Sequence, residues 1–337
     1  MAGKVVCFGE VMLRLSAPGA EVLLQSQRLE ARIGGAEANV GVSLARFGHP
    51  VRMVSFVPDN ALGRAALAEL RRHGLDVAGV RTAPGRLGLY FLTPAAGLRP
   101  AQVLYDRAES SFALADPDAI DWPAELEGAD WLHISGVTPA VGPNAAEAAL
   151  KAVRAARVKG LTVSFDGNYR KSLWDQWPTD GAAILADIVA AADLFIGDDR
   201  DVALILGHDF PQTDPMERRQ AAAEAAFTGF PQLSRVASTV RTVESAERHR
   251  LAAFLADRDG HWTAAPRDVS GIVDRIGGGD AFAAGLIHGL RTDMDPQAAL
   301  EFALAAAALK HSIPGDFNLV DIADVEALLA GGGDVRR

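Results

Sequence analysis

The sequence predicts an α/β protein in which a mostly parallel central sheet carries helices on both faces and a small accessory sheet lies beside it. Three observations lead there: short β-branched segments alternate with segments of helical spacing, two stretches interrupt that alternation, and two glycine-rich turns each open a helix. With 337 residues, 49% of them hydrophobic and 23% charged, the chain can bury a large core. We expect a single domain over residues 1–330, followed by a disordered tail. A net charge of −10, an aromatic content of 7% and the lack of any long basic run leave neither nucleic acid nor an anionic membrane as an expected partner.

Taken in order, KVVCFG (4–9) reads as the first strand. The N-terminal segment is interrupted by Glu10 and Arg14, so it fits neither a signal peptide nor a spanning helix. The single cysteine, Cys7, lies in this strand; it excludes an internal disulfide, agrees with a cytoplasmic location and is expected in the core. Further strands are VRMVSFV (51–57), WLHISG (131–136), LTVSFD (161–166), DLFIGD (193–198) and RVASTV (235–240). Between them, GRAALAELRRHG and AAEAALKAVRAARVKG have helical spacing, the arrangement of a parallel sheet with crossover helices. The rhythm breaks at residues 13–32 and 87–107, which are assigned to the accessory sheet. The alanine-rich segment 298–309 is expected to be a buried helix, and His133 and His311 to be structural residues, because the eight histidines show no metal-binding spacing.

The stretch DRIGGGDAFAAGL (274–286) places three glycines before an acid and a helix-like run. A glycine turn entering a helix presents free N–H groups at the positive end of the helix dipole, which makes it an anion cradle. Gly277, Gly278 and Gly279 would let the backbone approach a phosphate, and Asp280 would stand beside it on the first helical turn. A carboxylate there makes sense as a general base acting on a hydroxyl that attacks the phosphate. Aspartate is also a common helix cap, and the turn alone leaves both roles open.

A second glycine entry, Gly34-Gly35 followed by Asn39 on the first helical turns, changes the balance. Together with DRIGGGD it resembles the two signature regions of the ribokinase-like, or phosphofructokinase B-type, carbohydrate kinases. The resemblance covers nearly the whole chain. It implies a ribokinase-like three-layer fold, ATP and Mg²⁺ as cofactors, Asp280 as the base and the accessory sheet as a lid over the sugar. A homo-oligomer is expected, with dimerisation through that lid.

Three further details resemble the 2-keto-3-deoxygluconate kinases within that family: Tyr105-Asp106-Arg107, Asp166-Gly-Asn168-Tyr-Arg170, and the LKHSIPGDFNLV segment with Asp316. Arginine offers a planar charged fork matched to a carboxylate, so Arg107 and Arg170 suit an acid sugar. The resemblance implies a sugar site of Gly34, Gly35, Asn39, Tyr90, Tyr105, Arg107, Arg170, Asp280 and Asp316. The nucleotide is expected near Asn168, Asp198, Arg241, Ser245, Gly277 and Gly279. The chain departs from the family where an NxxE segment often organises the metal's water shell: here Asp198 and Asp201 occupy the place, which keeps the acidity, leaves the direct ligands open and allows a contact with Mg²⁺ through water. Arg275 and Ile276 also differ from residues that often line the phosphate path. The expected activity is ATP-dependent phosphorylation of the terminal hydroxyl of 2-keto-3-deoxygluconate. The alternatives are a kinase of a neutral sugar or nucleoside, disfavoured by the two arginines, and a silent sensor of the same fold, disfavoured by Asp280 and its glycines.

Overall fold

In a computed structural model that describes residues 3–331, the chain forms two sheets. The strands are β1 (Lys4–Phe8), β2 (Met12–Ser16), β3 (Glu30–Gly34), β4 (Val51–Val57), β5 (Asp76–Thr82), β6 (Gly88–Thr93), β7 (Gln102–Asp106), β8 (Ala129–Ser135), β9 (Thr162–Asp166), β10 (Leu194–Ile196), β11 (Arg235–Ser245), β12 (Arg248–Asp257) and β13 (His261–Ser270). The large sheet runs β13-β12-β11-β10-β9-β8-β1-β4-β5, and it is parallel from β11 to β5. All six segments assigned to core strands fall in it. The tail expected beyond residue 330 lies almost wholly outside the described residues.

The alternation fails at one edge. Instead of a further crossover, β11, β12 and β13 form an antiparallel meander. The connections explain it: two residues join β11 to β12 and three join β12 to β13, too few for a crossover helix. At the second turn the Asp257 carboxylate accepts the N–H groups of Asp259 and Gly260 at 2.8 and 2.9 Å.

Helices cover both faces. One side of the sheet packs on helices Ala36–Arg46, Gly278–Arg291 and Pro296–Lys310, the other on Pro143–Val158, Gly181–Val189 and Pro215–Gly229. The alanine-rich segment is a buried helix as expected. Its small residues let the preceding helix come close: a Cβ on Gly285 would lie 2.7 Å from the Ala303 Cα, and one on Gly289 would lie 2.6 Å from the Ala299 Cβ. Cys7 is fully buried, and burial pushes its thiol pKa up, away from reactivity. Among the described residues no helix is long and apolar enough to cross a membrane.

The two interrupting stretches form the second sheet, ordered β3-β2-β6-β7. Its β2–β6 pair is parallel and its outer pairs are antiparallel. Strand alternation sends Met12, Arg14 and Tyr90 inward to buried positions, and turns Leu13, Leu15 and Phe91 to the other face.

Candidate active site

A cavity of about 1050 Å³ lies between the small sheet and the large one. It is lined by Met12, Tyr90 and Tyr105 on one side and by the start of helix Gly278–Arg291 on the other. A neighbouring recess of about 560 Å³ shares Asp166, Asn168, Arg170, Asp198, Arg200 and Gly279 with it.

The glycine turn is built for close backbone approach. Gly277 is the N-cap with φ at 81°, in the left-handed region, and a Cβ there would lie 2.0 Å from the Asp316 carbonyl oxygen. By contrast, a Cβ on Gly279 would meet nothing within 4 Å, because that residue opens into the cavity. Asp280 is the third residue of the helix, and no side chain caps this helix start. Its Oδ2 instead accepts a 2.6 Å hydrogen bond from Nδ2 of Asn39, on the first turns of the helix opened by Gly35. The two glycine entries therefore converge on one carboxylate. Burial pushes the Asp280 pKa up to about 7; the Asn39 bond opposes this and the negative charges of Asp316 and Glu37 reinforce it. The Oδ1 of Asn39 is buried without a partner, an acceptor left over at the same spot.

On the small-sheet side the polar groups are already bonded to one another. Arg14 donates to Asp316 at 3.0 Å and to Asp274 at 2.6 Å, and the Tyr90 hydroxyl donates to the second oxygen of Asp316. Both Asp316 oxygens are thus engaged, so Asp316 holds Tyr90 and Arg14 in place at the cavity wall. Gly34 does not line the cavity; it makes room, since a Cβ there would sit 2.3 Å from the Asp316 carboxylate. Gly35 does line it, in a left-handed conformation with φ at 143°. Arg107 is buried and its Nε donates to Glu10 at 2.6 Å, while its Nη1 and the Glu10 Oε1 have no partner. The acids near Arg107 in sequence do not pair with it; Asp106 pairs with Arg86.

The far side of the cavity is cationic and open. Arg170 is exposed; its one side-chain hydrogen bond is to the Tyr169 carbonyl at 3.1 Å. Arg241 and Arg275 also line the cavity, and among the described residues none of these three arginines forms an ion pair. Burial, then Arg275, Arg200 and Arg170, hold the Arg241 pKa below its ordinary value, which places four guanidinium groups within electrostatic reach. Asn168 adopts a left-handed conformation at φ 39° beside them. Ser245 is not brought to the site: it ends β11 opposite Arg248, and its hydroxyl accepts the Glu247 N–H at 3.3 Å.

Asp198 and Asp201 form a capping box on helix Asp199–Leu206. Asp198 accepts from the Arg200 N–H at 2.9 Å, and against the opposing effect of burial the Arg200 bonds hold its pKa low. Burial lifts the Asp201 pKa to about 6 and, with Asp280 and Asp201 nearby, raises that of Asp166 well above the usual range. No three acidic, histidine or cysteine residues among those described are arranged to hold a metal directly. Acidity at the cavity edge fits a cation that arrives on phosphates with its own water. His133 is a buried structural residue, bonded to Ser164 at 2.9 Å. His311 bonds the Ala307 carbonyl at 2.7 Å but also lines the cavity, its ring 3.1 Å from where a Gly278 Cβ would be.

Arg14, Glu10 and the carboxylate of Asp274 join the site without having been singled out by the sequence. Asp274 opens the DRIGGGD motif itself; the two others stand out only as charges interrupting the first apolar stretch.

A carboxylate with a raised pKa at a glycine-lined helix start, in an arginine-lined cavity under a β-sheet, is an arrangement suited to a small-molecule phosphotransferase of α/β type. Residues 2–318 match the pfkB family of carbohydrate kinases, and the chain belongs to it. It is 32% identical over 334 residues to a 2-dehydro-3-deoxygalactonokinase of Haloferax volcanii, covering 98% of each chain. A 2-dehydro-3-deoxygluconokinase of Thermoproteus tenax is 28% identical, over 93% of this chain and 90% of that one. The crystal structure of a 2-dehydro-3-deoxygluconokinase from Thermotoga maritima is similar with a TM-score of 0.92 at 36% identity, over 98% of this chain and 100% of the other.

Proposed function

We propose that this carbohydrate kinase transfers the γ-phosphoryl group of ATP to the terminal hydroxyl of a 2-keto-3-deoxy sugar acid, 2-keto-3-deoxygluconate in the first instance. The observation that carries the reading is the junction of the two glycine entries, where Asn39 holds Asp280 at the cavity face of the helix start. The sugar acid lies under the small sheet against Tyr90, Tyr105 and Arg107, with Arg170 reaching its carboxylate from the opposite wall. Asp280 removes the hydroxyl proton as the oxygen attacks, and a base poised near neutrality suits that task. The backbone of Gly277–Asp280 and the guanidinium groups of Arg170, Arg241 and Arg275 stabilise charge on the transferring group, the larger part of catalysis in such reactions. Mg²⁺ carried by the triphosphate would neutralise phosphate charge, with Asp198 and Asp201 reaching it through water.

The Haloferax relative favours a second reading, the galacto-configured acid as co-substrate. A coupled ADP-release assay over gluco and galacto acids, fructose, ribose and nucleosides decides the class: we expect turnover of the acids and little of the neutral compounds. Faster phosphorylation of a neutral sugar would overturn the acid assignment. In the same assay Asp280→Asn should lower kcat by a factor on the order of 10²–10⁴ while both substrates still bind.

On the face of the small sheet turned from the cavity, Leu13 and Ile33 pack against the main core, while Leu15, Phe91 and the exposed Leu104 lie further along the same face. An apolar strand patch of this kind is suited to covering by a second copy of the chain. We therefore read the lid as a dimer surface as well as a cover.

A further inference from the structure

The side chain of Lys310 has no solvent exposure, although it ends a helix directly behind the glycine turn. Its ammonium donates to the Ile313 carbonyl at 2.9 Å and lies 3.5 Å from the Asp274 carbonyl. Among the described residues it forms no ion pair. The Asp274 carboxylate is taken up by Arg14 and by the N–H groups of Ile276 and Gly315, and that of Asp316 by Arg14 and Tyr90. Burying an ammonium without a contacting carboxylate is costly, and a methionine of similar length would fill the same space without that cost. Burial lowers its pKa to about 8; Asp274 and Asp316 oppose the shift, Arg14 adds to it, and Asp280 opposes it weakly. A Cβ on Gly277 would lie 3.3 Å from the Lys310 Cε, so the charged end of the side chain runs under the residue that caps the cradle.

We propose that Lys310 is a positioning residue for phosphoryl transfer: its ammonium joins the Asp274–Gly277 loop to the Ile313–Asp316 loop and holds a fixed positive charge behind the glycine cradle. This rests on the reading that the γ-phosphate lies at Gly277–Asp280. There the chain must accept the phosphate next to Asp280, Asp316 and Asp274, and a cation at the back of the loop offsets that repulsion without blocking the front. Lys310 acts through the loop and touches neither substrate.

The test compares Lys310→Met, which keeps length without charge, with Lys310→Gln, which keeps a hydrogen-bond donor without charge. Both should lower kcat/KM for ATP about 10- to 100-fold while the KM for the sugar acid stays within about threefold. The fall of kcat/KM for ATP above about pH 8 expected in the unaltered enzyme should vanish in both variants. Wild-type kcat/KM for ATP in either variant, or persistence of that basic limb, would overturn the proposal. Asp280→Asn run alongside separates the two readings: if it also keeps full turnover, the site assignment fails, and if it does not, only the role of Lys310 is refuted. Should both Lys310 variants fail to fold, calorimetry of a non-hydrolysable ATP analogue binding to Asp280→Asn at pH 8.5, in buffers of different ionisation enthalpy, decides instead. Uptake of a fraction of a proton supports the proposal, and no uptake overturns it.

Discussion

The two ends of the cavity are charged in different ways. Under the small sheet, Arg14, Tyr90, Asp274 and Asp316 satisfy one another, and Arg107 is locked to Glu10, all of them buried. At the far end, Arg170, Arg241 and Arg275 are partly or fully exposed and, among the described residues, form no ion pair, although Asp166 and Asp198 line the same region. A prebuilt network can discriminate small hydroxyl patterns because its members cannot rearrange cheaply. A loose cationic field suits a flexible polyanion that brings its own metal and needs charge more than shape. On the function proposed above, the first end suits the sugar and the second the triphosphate, with Arg170 reaching across to the acid's carboxylate.

The sharpest way to break this assignment is to obstruct one end only. Because Gly279 has open space where its side chain would go, Gly279→Val should fold normally and intrude on the cradle. We expect kcat/KM for ATP to drop by about 100-fold or more, with unchanged thermal unfolding and retained sugar-acid binding by calorimetry. Equal loss of both ligands would place the sugar on the cradle as well.

Next in size is the contrast between the two arginines proposed to meet the acid sugar. Removing Arg107 strands the buried Glu10 carboxylate, an event that costs about 3–5 kcal/mol, so Arg107→Ala should lower Tm by several degrees as well as raise the KM for the acid. Arg170→Ala strands nothing and should leave Tm alone while weakening the acid about ten- to hundred-fold. A thermal melt and a titration of each variant check both halves. If Arg170→Ala weakens ATP and spares the acid, Arg170 belongs wholly to the cationic end.

What the sequence makes legible follows the same division. The parallel core, the accessory sheet and both glycine entries can be read because each depends on local pattern: period-two strands, helical spacing and turns that need glycine. The β11–β13 meander escapes such a reading because antiparallel pairing there depends on turn lengths that short apolar runs do not advertise. Asp280 and Asn39 lie 241 positions apart, yet both are legible, since each belongs to a recognisable motif. Arg14 and Glu10 belong to none. Their roles arise from partners 302 and 97 positions away, and only the folded chain brings those together. Ser245 shows the converse: the family resemblance implies it near the nucleotide, but the hairpin carries it to the turn.

Salt should separate the ends more gently. Exposed charges are screened over a Debye length of about 8 Å at physiological ionic strength, and buried pairs much less. Raising ionic strength from about 50 to 500 mM should increase the KM for ATP several-fold and that for the sugar acid less than twofold. Steady-state kinetics with Mg²⁺ held in excess reads both; equal sensitivity would mean that the acid depends on the exposed arginines as heavily as the triphosphate does.

The smallest expected effect lies at the seam, where Asp280 faces both ends. Its pKa in the folded chain is about 7, against roughly 3.9 for an aspartate in an unfolded one. Between those values the folded state binds the extra proton, so stability falls as pH rises from about 4 to 7 and the loss is complete above 7. The new side-chain amide in the Asp280→Asn variant still offers an oxygen to the Asn39 amide but never ionises. Its Tm should therefore exceed that of the unaltered protein by a few degrees at pH 8, and the gap should close toward pH 5, where Asp280 is protonated anyway. Over the same range the activity of the unaltered enzyme should fall as the pH drops through about 7, because the base is lost as the fold gains. Paired melts at pH 5 and pH 8 would reveal the trade, and a variant that melts lower at pH 8 would mean that the ionised carboxylate is held by partners stronger than Asn39.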